Sequence, residues 1–103
     1  MEERVKNNDI AVRIGNLLFE HKCTDTIVID ISNICSWTDF FIITTVRSSA
    51  HMQGLLKYLY GFFKDNHMHQ LNHRKNVNEA GWILLDCGDI VIHLMEKEQR
   101  LFY

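Results

Sequence analysis

Two short apolar runs joined by Gly88-Asp89 constrain this chain more than any other feature. Trp82 to Cys87 and Ile90 to Met95 each read as a strand, and a glycine between them supplies the positive φ that a tight two-residue turn needs. With Gly88-Asp89 in the turn, Cys87 pairs with Ile90, Asp86 with Val91, Leu84 with His93 and Trp82 with Met95. Strand side chains alternate, so Trp82, Leu84, Asp86, Val91, His93 and Met95 share one face. The other carries Ile83, Leu85, Cys87, Ile90, Ile92 and Leu94, which is plain core. An apolar face of this kind has to be laid against another layer, so helices should pack on the ribbon. The mixed face has the make-up of a partner surface, with aromatic and aliphatic anchors among a few polar groups. The competing reading, modestly favoured by periodicity alone, is that the first or second helix covers it, with Asp86 and His93 hydrogen-bonded at the rim.

The remaining pattern supplies those helices. From about Glu3 to His21, Ile10, Ile14, Leu17 and Leu18 form one apolar stripe. Thr26 to Ile31 is β-branched and reads as a strand. Ser32 to Asp39 is a polar connection containing Trp37. Phe40 to Val46 is apolar on both alternating faces, the mark of a central strand covered twice. Ser48 or Ser49 can cap a helix running to about Asp65, whose buried stripe is Met52, Leu55, Leu56, Leu59 and Phe62. Gly54 and Gly61 share its opposite face. Each costs up to ~1 kcal/mol relative to Ala, and two readings stand: a second subunit approaching there, or plain solvent. His67 to His73 is a candidate edge strand, Arg74 to Gly81 a loop, and Glu96 to Tyr103 the start of a short helix. Residues 40–65 with the edge strand could make a right-handed crossover unit. The expectation is one α/β domain over residues 1–103, a mixed sheet packed with helices.

Composition narrows the function. The 47% hydrophobic content supports one core, and no linker or repeat divides it. A formal net charge of -2 argues against a Lys/Arg field for sequence-independent nucleic-acid binding and suits a basic protein partner. Three widely spaced cysteines without a CxxC fit free thiols in a reducing compartment. The charged start, Met1-Glu2-Glu3-Arg4, has no apolar signal core, and no membrane-length run follows, so the expected location is the cytoplasm.

The hairpin residues, Trp82-Ile83-Leu84-Leu85-Asp86-Cys87-Gly88-Asp89-Ile90-Val91-Ile92-His93, resemble the signature of the RsfS/Iojap ribosomal silencing factor family without a gap. Glu98-x-Arg100-x-x-Tyr103 looks like that family's E-x-R-x-x-Y. Ser36-x-x-Asp39-Phe40-Phe41-Ile42-Ile43 and Thr45-x-x-Ser48 followed by His51 are similar to its upstream segments. The resemblance implies a fold related to the nucleotidyltransferases without their catalysis. It further implies binding to the large ribosomal subunit at the ribosomal protein named L-fourteen, where a bound protein sterically blocks the small subunit and lowers translation when nutrients are scarce. A homodimer is compatible with it; DNA, membrane and cofactors are not expected. The family's hairpin Trp, here Trp82, is part of its contact surface, and this favours the partner reading of the mixed face. The expected partner-binding residues are Trp82, Leu84, Asp86, Asp89, His93, Met95 and Glu96. Two departures stand out: Val46 replaces the usual Gly, and Lys75-Asn76 replaces an E-G pair, with Glu79 the acid nearby that could substitute.

A nucleotidyltransferase needs a Gly-Ser phosphate loop and a D-x-D pair for two metal ions, and neither is present. Asp86 and Asp89 flank a turn, with two residues between them. His67-x-His69 with His73 could hold a metal, but a solvated edge explains them better. Asp30 and Ser32 are too isolated for a triad, and Cys87 with His93 lacks an orienting third group. A nucleotide- or RNA-acting enzyme on the same fold is the alternative, and a self-associating module a third reading.

Overall fold

The computed structural model describes residues 2–71, 75–76 and 81–102. Its elements are α1 (Glu2–Glu20), β1 (Thr24–Asp30), β2 (Phe40–Val46), α2 (Ser49–Asp65), β3 (Lys75–Asn76), β4 (Trp82–Asp86), β5 (Ile90–Glu96) and α3 (Lys97–Phe102). The strands form one sheet in the order β1-β2-β5-β4-β3. β1 and β2 are antiparallel, β2 and β5 parallel, and β5, β4 and β3 successively antiparallel. The sheet is therefore mixed, as expected. β3 runs in the direction of β2, so α2 bridges a crossover that passes over β5 and β4.

The hairpin has the register that its sequence dictates. Trp82 pairs with Met95, Leu84 with His93 and Asp86 with Val91. Gly88 takes φ +85°, and the Cys87 amide donates to the Ile90 carbonyl at 2.9 Å. A side chain at Gly88 would be strained by that φ alone. The Asp86 carboxylate accepts from the Gly88 amide at 2.9 Å, so Asp86 helps to close the turn.

α1 and α2 both lie on the face that carries Ile83, Leu85, Ile90, Ile92 and Leu94, and these five join the main core with Ile10, Ile14, Leu18, Met52, Leu55, Leu56, Leu59 and Phe63. Ser48 caps α2, its hydroxyl accepting from the His51 amide at 3.1 Å. The α2 stripe turns slightly from expectation: Phe63 is buried and Phe62 only partly so, with the Arg13 guanidinium 5.1 Å from the Phe62 ring centre. Gly54 and Gly61 face open space.

Three expectations are corrected. His67 to Leu71 forms no strand, because α2 ends there with His67 at φ +56°, and the Leu71 amide donates to Asp86 O instead. The short edge strand is Lys75–Asn76, inside the stretch read as a loop. Residues 72–74 and 77–80, with His73 and Glu79, lie outside the described residues. Third, β2 is central but covered by helices on one side only: Phe40, Ile42 and Val46 are buried, whereas Phe41 and Ile43 are half-buried. Val46 fits its position without a glycine, as an extended strand residue that is 2% exposed.

Candidate functional site

The second face of the sheet carries no long helix. Its side chains form rows across the strands, set by the register: Ile29, Phe41, Val91 and Asp86 in one, and Ile27, Ile43, His93 and Leu84 in the next. The third holds Thr45, Met95 and Trp82. α3 folds back at that third row, where Arg100 Nη1 donates to Thr45 Oγ1 at 3.2 Å. Neither α1 nor α2 covers the mixed hairpin face; neighbouring strands and α3 do so in part.

The seven expected partner-binding residues are therefore unequally presented. Asp89 is exposed, and Leu84, Asp86 and Glu96 are half-buried. Trp82 and His93 are each only 9% exposed, and Met95 lies deeper. Asp89 also has a structural task, since its carbonyl accepts from the amides of Asp39 and Phe40 and so ties the starts of β2 and β5 together.

At the centre of the face Trp82 Nε1 donates to His93 Nδ1 at 3.1 Å. An indole N–H can only donate, so Nδ1 is the acceptor and a neutral His93 carries its proton on Nε2. That Nε2 is buried and has no partner. Burial also pulls the His93 pKa below its ordinary value, since the charged form is the costlier one to desolvate. The rings continue outward: His93 meets Phe41 edge-on with centroids 5.0 Å apart, and Phe41 meets Trp37 at 6.2 Å. A line of aromatic rings thus starts buried at Trp82 and surfaces at Trp37, which is 61% exposed.

Trp37, Phe41, Ile43, Ile27 and Ile29 were not singled out as site residues in the sequence. The alternation of β1 and β2 contained the signal, because Phe41 and Ile43 on one strand demand apolar neighbours on the next. The missing information was which side the helices take.

Burial, with the Asp86 charge adding to it, pushes the Cys87 thiol up to about 12, and burial also raises Cys23; such thiols are inert at neutral pH. His67 and His69 line a cavity of about 410 Å3 with Lys6, Asn66, Cys87 and Asp89, away from the open face. Among the described residues no three His, Cys, Asp or Glu side chains are grouped to hold a metal ion. No described helix is long and apolar enough to cross a membrane.

Fold and face together define a small mixed α/β domain with one sheet surface left open by its helices. Residues 5–103 match the family model described as ribosomal silencing factor during starvation, RsfS. The chain is 30% identical over 97 residues to ribosomal silencing factor RsfS of Treponema pallidum, a match covering 93% of this chain and 86% of the relative. It is 29% identical over 90 residues to mitochondrial assembly of ribosomal large subunit protein 1 of Mus musculus, covering 85% of this chain and 40% of that protein. The crystal structure of protein CV0518 from Chromobacterium violaceum shares the fold with a TM-score of 0.77 at 24% identity, over 99% of this chain and 79% of that one. This chain belongs to the ribosomal silencing factor RsfS family, a family of ribosome-associated translation regulators.

Proposed function

We propose that this protein is a translation regulator that binds the large ribosomal subunit at the ribosomal protein named L-fourteen and sterically blocks joining of the small subunit. The observation that carries this reading is the sheet face left open by α1 and α2, built largely from the hairpin and β2 segments through which the chain resembles its family. A partner that seats on this face removes half-buried apolar area at Leu84, Phe41 and Ile43 from water, which is the main driving force for association. Leu84, Asp86, Asp89 and Glu96 meet the partner directly. Trp82, His93 and Met95 lie beneath them and set the shape of the surface.

No covalent step is needed: the effect is occlusion, with no cofactor, in the cytoplasm. The large-subunit partner draws support from the mouse relative, whose name refers to mitochondrial assembly of the ribosomal large subunit. A homodimer is compatible with the same open surface, and it would compete with the ribosome for it.

Co-sedimentation with isolated large and small bacterial subunits, at low and moderate salt, tests the proposal. The expected result is binding to the large subunit alone and inhibition of subunit joining. Leu84→Asp should abolish both with the fold intact. It is a better probe than Trp82→Asp, which would place a charge at a nearly buried site and endanger folding. Binding to neither subunit would remove the proposed function.

A further inference from the structure

The β1–β2 loop exposes large apolar side chains on a tied backbone. Trp37 is 61% and Ile34 85% exposed. The loop is nevertheless held at both ends. Ile31 N donates to Asp39 O at 2.8 Å, and the amides of Ile34 and Cys35 both donate to Ile31 O. Ser32 donates to Asp30 Oδ1 through its amide at 3.0 Å and its hydroxyl at 2.6 Å. Beside Trp37 the apolar surface continues through Phe41 to Ile27 and Ile29, both exposed. A rigidly presented aromatic loses little conformational freedom when it is buried, which is what makes such residues dominate binding energy.

Charge sets the kind of partner. Asp30 ends β1, Asp39 precedes β2, Asp86 ends β4 and Asp89 precedes β5. The register puts all four at one end of the sheet, since Asp30 pairs with Phe40, Phe40 with Ile90 and Asp86 with Val91. This is the end from which the Trp37 loop springs. Lys6 lines a cavity with Asp89 on the helix side. Asp39 accepts from Asn7 of α1, Asp30 from Ser32 and Asp86 from the Gly88 amide, yet the negative charge gathered at this end still complements a basic protein surface with an apolar centre and repels the phosphates of RNA.

We infer that Trp37 is a principal anchor of the docking surface, and that it and the neighbouring aspartates engage a basic protein of the large subunit, not ribosomal RNA. This rests on the ribosomal reading above and extends its contact from the hairpin to the β1–β2 side of the sheet. The aromatic line explains how the two sides act together. Trp82 fixes His93, His93 borders Phe41, and Phe41 supports Trp37, so the buried tryptophan is a positioning residue for the exposed one.

The test uses the full chain and purified large subunits. Affinity is measured for the unaltered protein, Trp37→Ala and Trp37→Phe, each checked for an unchanged melting temperature. Trp37→Ala is expected to weaken binding about tenfold or more, and Trp37→Phe to retain most of it. A benzophenone amino acid placed at position 37 should cross-link to a basic ribosomal protein. Wild-type affinity in Trp37→Ala, a cross-link to ribosomal RNA, or a cross-link only to a second copy of this chain would each overturn the inference while leaving large-subunit binding in place. Failure of the unaltered protein to bind the large subunit would overturn the ribosomal reading, and this inference with it.

Discussion

His93 is the residue whose environment has the clearest consequence. Its Nδ1 must stay unprotonated to accept the Trp82 N–H, and burial independently disfavours its charged form. The folded pKa lies below the unfolded value, so the unfolded chain binds the proton more readily. Stability from this group is therefore fully present above about pH 6.5. It is lost as pH falls through the folded pKa. We expect the melting temperature to drop between pH 7.5 and 5.5, and the drop to be smaller in His93→Gln; equal drops would show that other histidines carry the effect. Trp82→Phe deletes the donor and also part of a nearly buried ring. It should therefore cost more than the roughly 1 kcal/mol of one hydrogen bond, as read from urea unfolding.

At the scale of elements, α2 offers two opposite levers. Its N-terminus depends on Ser48, whose hydroxyl satisfies a free amide of the first turn. Ser48→Ala should cost about 1 kcal/mol, seen as a lower urea midpoint at unchanged slope. Its outer face carries Gly54 and Gly61, where an added Cβ meets nothing within 4 Å. Gly54→Ala and Gly61→Ala should each stabilise by up to ~1 kcal/mol, because alanine restricts the unfolded chain and favours helix. If a second subunit approached on this face, the same changes would instead alter the mass measured in solution against concentration. At the sheet edge, β1 ends in Asp30 and is kinked by a register shift between Thr24 and Ile27, with Asp25 at φ +50°. Charge and irregularity of this kind discourage edge-to-edge pairing.

For the whole molecule, the layout separates a side covered by the long helices from a side they leave open. The two long helices fill one face of the sheet, while α3 only closes one end of the other. The acidic end should steer association with a basic partner. Asp89→Asn is expected to lower the association rate with large subunits and to flatten its dependence on salt, leaving dissociation nearly unchanged. A stopped-flow or surface-binding measurement at two ionic strengths separates these effects, and a changed dissociation rate alone would point to lost hairpin geometry.

Much of this architecture was present in local pattern. The hairpin register follows from a glycine in its turn and from strict alternation, both properties of neighbouring residues, and it was legible to the pair. The helices followed from their stripes, and Ser48 from its hydroxyl before the first turn. Two features were out of reach. The position of β3 depends on which backbone groups β4 leaves free, not on the propensity of its own two residues, so local pattern points to the histidine-rich stretch instead. The depth of Trp82, His93 and Met95, and the exposure of Trp37, depend on which face of the sheet the helices occupy and on where α3 folds back. The sequence determined which residues share a face; only tertiary packing decided how far each stands from water, because burial is a property of the layer laid on top and not of the strand beneath.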